Sequence, residues 1–255
     1  MLSFKDRLYI STTAEDGEEL ARAYGLGLEL AEYCTAENMD ARFDETDAIV
    51  RRKMTAAKRF TFHAAFNELC PAAIDPLIVE IAEKRYRQAV KTAQYYGVKK
   101  MIFHSGYIPF VYYKSWFVEK SVAFWKRFLR DFPADMMICC ENVMEGAPDM
   151  LVEIADAVDD PRFCLCLDIG HANCVISDVP VADWVDSFAP RLAHVHLHNN
   201  AGSWDIHAPL SEGSIPMKDI ICHLEEKCPG VTYAIENMNA GQSVDWLRKE
   251  GLLKA

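Results

Sequence analysis

In FCLCLDIG, residues 163–170, an unbroken apolar run leads straight into an aspartate, and a glycine follows two positions later. A strand with one wet face would alternate apolar and polar residues. A short continuous apolar run bounded by turn residues instead suggests a strand covered on both sides, as in parallel sheets. Seven other segments read the same way: RLYIST (7–12), LGLELAEY (26–33), RFTFHA (59–64), KMIFHSG (100–106), MMICCEN (136–142), LAHVHLHN (192–199) and TYAIEN (232–237).

Helical patterns fill the intervals. Asp75-Pro76 opens one helix as N-cap and first-turn proline, Ile78, Ile81, Ala82, Ala89, Val90 and Ala93 line a face, and Gly97 closes it. Ser115 is placed to cap a second helix, whose Val118, Val122, Trp125, Phe128 and Leu129 recur at helical spacing until Pro133. Further helices fit at 15–24, 148–158, 180–188, 216–227 and 243–250. No linker or composition shift divides the chain, so residues 1–255 read as a single α/β domain, a (β/α)8 TIM barrel. A doubly wound open sheet would carry a glycine-rich phosphate loop after its first strand, where STTAEDGE stands instead.

The composition is that of a folded chain: 51% hydrophobic and 25% charged residues can build a sizeable core. A net charge of −11 offers no general basic field to draw in nucleic acid or anionic membrane. The nine cysteines show no framework of paired spacings; Cys139-Cys140 and Cys164-Leu-Cys166 fall inside apolar runs and read as small buried hydrophobes of a reducing compartment. MLSFKDRLYI lacks a signal peptide's apolar core, and no run reaches transmembrane length, so a cytoplasmic protein is expected.

In a (β/α)8 barrel the reacting groups stand at the carboxyl ends of the strands. Polar residues that interrupt the apolar runs there are His63, His104, Glu141, Asp168, His196 and Glu236, one from each of strands three to eight. His171 follows Asp168 by three positions, and AHVHLHNNAGSWDIHAPLSEG (193–213) adds Asp205 and His207 while holding four of the eight histidines. Taken singly, each has an ordinary explanation: His63 or His104 as a hydrogen-bonded structural histidine, Glu141 or Glu236 as a loop cap or lysine partner, Asp168 as a turn cap. Convergence decides for a divalent-metal site, since carboxylates so close together would otherwise raise one another's pKa values. His194 shares the parity of His196 and is expected one layer deeper, as core. His198 is expected at the rim, where it could touch substrate, and His223 on a helix, in a structural role.

CLDIGHANC (166–174), ICCENV (138–143), HVHLHN (194–199), WDIHAPLSEGSI (204–215) and YAIEN (233–237) resemble motifs of the xylose isomerase-like TIM-barrel superfamily, which includes sugar (phosphate) isomerases and epimerases, inosose dehydratases, hydroxypyruvate isomerases and endonuclease IV. The resemblance implies that Glu141, Asp168, His196 and Glu236 hold the metal and that the two glutamates form the acid–base pair. The resemblance to endonuclease IV implies that His63, His104, His171, Asp205 and His207 are additional ligands of a multinuclear zinc site, with His171 also a candidate catalytic residue. Three departures stand out. Ile169-Gly170 replace the endonuclease's Thr-Cys, His198-Asn199 replace its Asn-Asp, and AAFNELCPAAIDP after His63 is unlike its DNA-penetrating loop. The ketose 3-epimerases' substrate-binding arginine is replaced by Gly202.

The chemistry expected is isomerisation or epimerisation of a small sugar, sugar phosphate or polyol. Glutamates would transfer a proton through a metal-stabilised enediolate, with Zn or Mn as the metal and Mg or Co as alternatives. The alternative is an endonuclease IV-like zinc phosphodiesterase. A small carbohydrate is the expected partner, nucleic acid and membrane are not, and a homo-oligomer is compatible with the sequence.

Overall fold

The computed structural model describes residues 2–253. Eight parallel strands close on themselves in chain order: β1 (Leu8–Ser11), β2 (Gly27–Leu30), β3 (Phe60–His63), β4 (Lys100–His104), β5 (Met137–Glu141), β6 (Phe163–Asp168), β7 (Leu192–Leu197) and β8 (Thr232–Ile235), with β1 pairing both β2 and β8. The chain is a (β/α)8 barrel. Seven helices fall where the sequence places them: α1 (Gly17–Tyr24), α4 (Pro76–Tyr95), α5 (Lys114–Phe128), α6 (Asp149–Val158), α7 (Val181–Phe188), α8 (Met217–Lys227) and α9 (Gly241–Lys249). Two helices between β2 and β3, α2 (Ala36–Met39) and α3 (Phe43–Met54), were not expected. The α3 segment buries only Thr46 and Val50, too few positions to print an apolar periodicity on a charged sequence.

Capping follows the sequence at α4, where the Asp75 side chain accepts from Leu77 N–H at 2.9 Å and Pro76 supplies a fixed φ. Gly97, at φ 71°, ends the turn after it. Two expectations are corrected. Tyr113, not Ser115, stands at the N-cap of α5. Ile78 and Ile81 lie 38% and 49% exposed, because α4 packs through Ala82, Tyr86, Ala89, Val90 and Ala93, one stripe further round.

The larger core lies between strands and helices, where Tyr86, Phe103, Trp125 and Phe128 meet ring against ring. The barrel interior is smaller and is filled by Ile102, Cys139 and Cys166. All nine cysteines are unpaired. Among the described residues no helix is long and apolar enough to cross a membrane.

Strand register positions the site. His104 pairs with Glu141 and Asp168 with His196, so the polar side chains reach the carboxyl end in adjacent rows above the apolar layers.

Candidate metal and active site

At the barrel mouth the four residues of the expected ligand quartet meet around one atom. His196 Nδ1 lies 2.9 Å from Glu141 Oε1, 3.6 Å from Glu236 Oε2 and 3.7 Å from Asp168 Oδ2. His63 and His104 approach the other side of Glu141, each with Nε2 3.4 Å from Oε2. His171 Nε2 and His207 Nε2 both reach Asp205 Oδ2, at 3.2 and 3.0 Å, and His171 Nδ1 lies 3.7 Å from Glu141 Oε1. The structure thus gathers all nine positions into one connected cluster, with His63, His104 and the His171–Asp205–His207 group flanking the quartet.

Local structure fixes each side chain. The Asn142 amide clamps the Asp168 backbone in both directions, donating to its carbonyl at 2.9 Å and accepting from its N–H at 2.8 Å. Asp168 accepts the backbone N–H of His171 at 2.7 Å, which closes the turn read as LDIGH. His207 adopts φ 46°, a costly conformation for a non-glycine residue, and its Nδ1 lies 2.8 Å from the Glu236 carbonyl. His198 is not at the rim. It is fully buried, with Nε2 2.9 and 3.0 Å from the two Asp168 oxygens and its ring stacked on His207. Gly170 makes room for it: a Cβ there would lie 1.9 Å from His198 Cε1. His194 is core, as its parity requires, and His223 on α8 lies 3.0 Å from Asp186.

One participant escaped the sequence reading. Glu29 on β2 is fully buried, accepts from Thr61 Oγ1 at 2.7 Å, and reaches His194 Nε2 and His196 Nε2 at 3.0 Å each. Its signal was present, since Glu29 interrupts the apolar run LGLEL as Asp168 interrupts FCLCL. It falls in the middle of the expected segment LGLELAEY (26–33), whereas the strand observed ends at Leu30, so its place near the carboxyl end is not visible in the sequence.

Burial dominates the electrostatics. Burial works against the Glu141 carboxylate, but His196 and His104 outweigh it and hold the group well below the usual carboxylate range. Burial raises Glu236, and the neighbouring acids Glu141, Glu29 and Asp168 add to the rise despite His196. Burial likewise opposes a charged His171, yet Asp168, Asp205 and Glu141 lift it to about 10. Burial leaves His104 at about 3. Glu141 Oε2 is buried without a hydrogen-bond partner. A carboxylate with an unpaired oxygen among imidazoles and further carboxylates is a donor set that fits a divalent cation. Among the described residues, five groups of three or four such side chains have ligand atoms within 4.8 Å of one another, including Glu141–Asp168–His171 and His63–Glu141–His196.

Residues 20–250 match the family model described as xylose isomerase-like TIM barrel. The chain belongs to this family. A relative in sequence is an uncharacterized protein of Methanocaldococcus jannaschii, 26% identical over 192 residues. That match takes in 71% of this chain and 65% of the relative, so the chain spans somewhat less than two thirds of that protein's length. Among solved structures, a D-tagatose 3-epimerase-like protein shares the fold with TM-score 0.75 at 22% identity, covering 96% of each chain. The IOLI protein with a bound zinc atom does so with TM-score 0.75 at 14% identity, again over 96% of each.

Proposed function

We propose that this member of the xylose isomerase-like family is a metal-dependent isomerase or epimerase of a small sugar or polyol. The observation that carries the reading is the meeting of Glu141, Asp168, Glu236 and His196 at one imidazole nitrogen, in a buried cluster at the carboxyl end of the barrel. Names of structural neighbours agree: one is a D-tagatose 3-epimerase-like protein, and another carries zinc.

These four residues would hold the cation, zinc or manganese in the first instance, with magnesium or cobalt as alternatives. Bound there, a divalent ion supplies Lewis acidity that makes a carbon-bound proton beside a carbonyl easier to remove. Glu141 and Glu236 move that proton. They stand at the end of β5 and just past the end of β8, separated around the barrel, and so address the substrate from two directions. One glutamate removes the proton, and the other returns it on the far face to invert the centre. Return to the neighbouring carbon would instead interconvert aldose and ketose. Asn142 and the LDIGH turn keep Asp168 in place.

A second reading, an endonuclease IV-like zinc phosphodiesterase, is favoured by one observation: His63, His104, His171, Asp205 and His207 join the quartet in one cluster. The excess of acidic residues weighs against a nucleic-acid substrate.

The test incubates manganese-loaded protein in deuterated water with D-tagatose and D-fructose and follows loss of substrate C–H signals by NMR. Exchange by the wild type, abolished in Glu236→Gln with manganese still bound, is the expected result. A wild type that exchanges no C–H proton but cleaves duplex DNA at an abasic site would replace the first reading by the second.

A further inference from the structure

Beside the carboxylate cluster, a chamber of about 670 Å³ opens between the loops that follow β3, β4 and β5. Its volume falls in the range of about 300–1,000 Å³ typical of sites that enclose organic ligands. It is continuous with the site, because His104 forms part of its wall while the same imidazole lies 3.4 Å from Glu141. Phe66 stands at the junction, stacked on His104 with ring centroids 4.2 Å apart and edge-on to His63 at 5.3 Å.

Away from that junction the wall is mostly apolar. Leu69, Ile74, Ile78, Val111, Tyr112 and Met144 line it, and Ile74 and Val111 are 67% and 51% exposed. The displacement of Ile78 out of the α4 core has its consequence here, since it faces the chamber instead. The chamber is also built rather than incidental. Gly106, at φ 75°, lets the loop after β4 press on the loop after β3, where a Cβ would lie 2.7 Å from the Leu69 carbonyl oxygen. The acids of the wall are Glu68 and Asp75, and no lysine or arginine lines it among the described residues.

A free sugar would leave its hydroxyls facing these hydrocarbon walls without partners, and a phosphate would meet acids and no cation. We infer that this chamber binds an aromatic or branched-alkyl substituent of the substrate, so that the molecule processed is an uncharged sugar derivative that keeps a free carbonyl and carries an apolar group. The inference rests on the sugar-processing reading of the adjoining site and narrows it. The polar ring sits over the carboxylate cluster, and its apolar group passes Phe66 and displaces weakly held water from the chamber.

The experiment is saturation-transfer NMR and calorimetric titration of the full chain, with and without manganese, using phenyl β-D-glucoside, phenyl β-D-galactoside, their parent hexoses and glucose 6-phosphate. The expected result is binding of at least one phenyl glycoside ten-fold or more tighter than its parent hexose and than the phosphate, with saturation strongest on the phenyl protons. Ile74→Asp and Val111→Asp, at exposed wall positions, should erase that preference while thermal unfolding and manganese binding stay as in the wild type. Equal binding of hexose and phenyl glycoside, tighter binding of the phosphate, or a preference that survives both substitutions would overturn the inference. The two readings fail separately. Because the phenyl glycosides carry no free carbonyl they report binding alone: a preference for them with no C–H exchange on D-tagatose or D-fructose would leave the chamber and remove the isomerase, whereas exchange on free hexoses with no gain from the phenyl group would do the reverse.

Discussion

His196 is held between two buried glutamates, with Nε2 3.0 Å from Glu29 Oε1 and Nδ1 2.9 Å from Glu141 Oε1. An imidazole that ligates through one nitrogen must carry its proton on the other, and a carboxylate at that other nitrogen fixes both tautomer and ring orientation. Glu29 stands beside that other nitrogen as a charged neighbour, although the two atoms do not complete a hydrogen bond, and Nδ1 faces the barrel mouth. Glu29→Gln keeps the shape but loses the charge, and it should weaken zinc or manganese binding by about 10–100-fold, the usual effect of removing such a partner. Competition with a chelating dye measures this, and circular dichroism reports whether the barrel is intact. Unchanged metal affinity in a folded variant would show that Glu29 serves the core alone.

Gly170→Ala tests the packing behind the ligands. The added methyl would lie 1.9 Å from His198, a fully buried ring that braces Asp168. Either the ring moves and Asp168 loses its partner, or the LDIGH turn shifts. Overpacking of this kind costs about 1–3 kcal/mol. The variant should unfold at lower urea concentration and bind metal more weakly, whereas the same change at Gly230, which has open space around its Cβ position but φ 109°, should disturb stability without touching metal affinity.

The barrel was legible because its strands are apolar on both faces and end in ligand-type residues, so FCLCLD and MICCE announce themselves without help from context. The α3 helix was not, because it leans on the barrel through only two buried residues and its sequence is charged elsewhere. The site was legible at strand ends and illegible in depth. Parity placed His194 in the core correctly, yet His198 has the same parity and was assigned to the rim, because sequence does not show that the loop carrying Asp205 and His207 folds back over it. Glu29 is hidden for a related reason: a glutamate inside an apolar run is readable as a partner only once His194 and His196 are known to face it.

The flanking group His171–Asp205–His207 sets the number of ions. On the isomerase reading, one ion per chain sits at the quartet, and the flanking residues orient substrate or hold Asp168 and Glu236 in place. Zinc-loaded protein, gel-filtered and analysed by elemental emission, should contain close to one ion per chain, and the double variant Asp205→Ala/His207→Ala should keep it. Three ions in the wild type, falling in the double variant, would instead support the hydrolase.

Glu145 supplies the pH prediction, because it lies outside the ligand set. Its carboxylate is buried, accepts from Val143 N–H at 2.7 Å, and is bonded by the Ser105 hydroxyl. Burial is the largest influence and raises its pKa above the usual 4.5, with the Ser105 and Val143 hydrogen bonds and the charge of His171 pulling only part of the way back. The folded chain therefore binds this proton more tightly than the unfolded chain does. The stability it confers is complete below the unfolded pKa and is lost as pH rises through the folded one. Glu145→Gln stays neutral throughout, and its amide can accept from Val143 N–H while donating to Ser105 Oγ. Urea unfolding of the metal-free proteins at pH 4.5 and pH 8, near and well above the ordinary glutamate value, isolates the effect, because groups common to both proteins cancel in the difference. The stability difference should move in favour of Glu145→Gln as the pH rises. A difference that stays constant, or moves toward the wild type, would show that Ser105 and Val143 hold the ionised carboxylate better than burial opposes it.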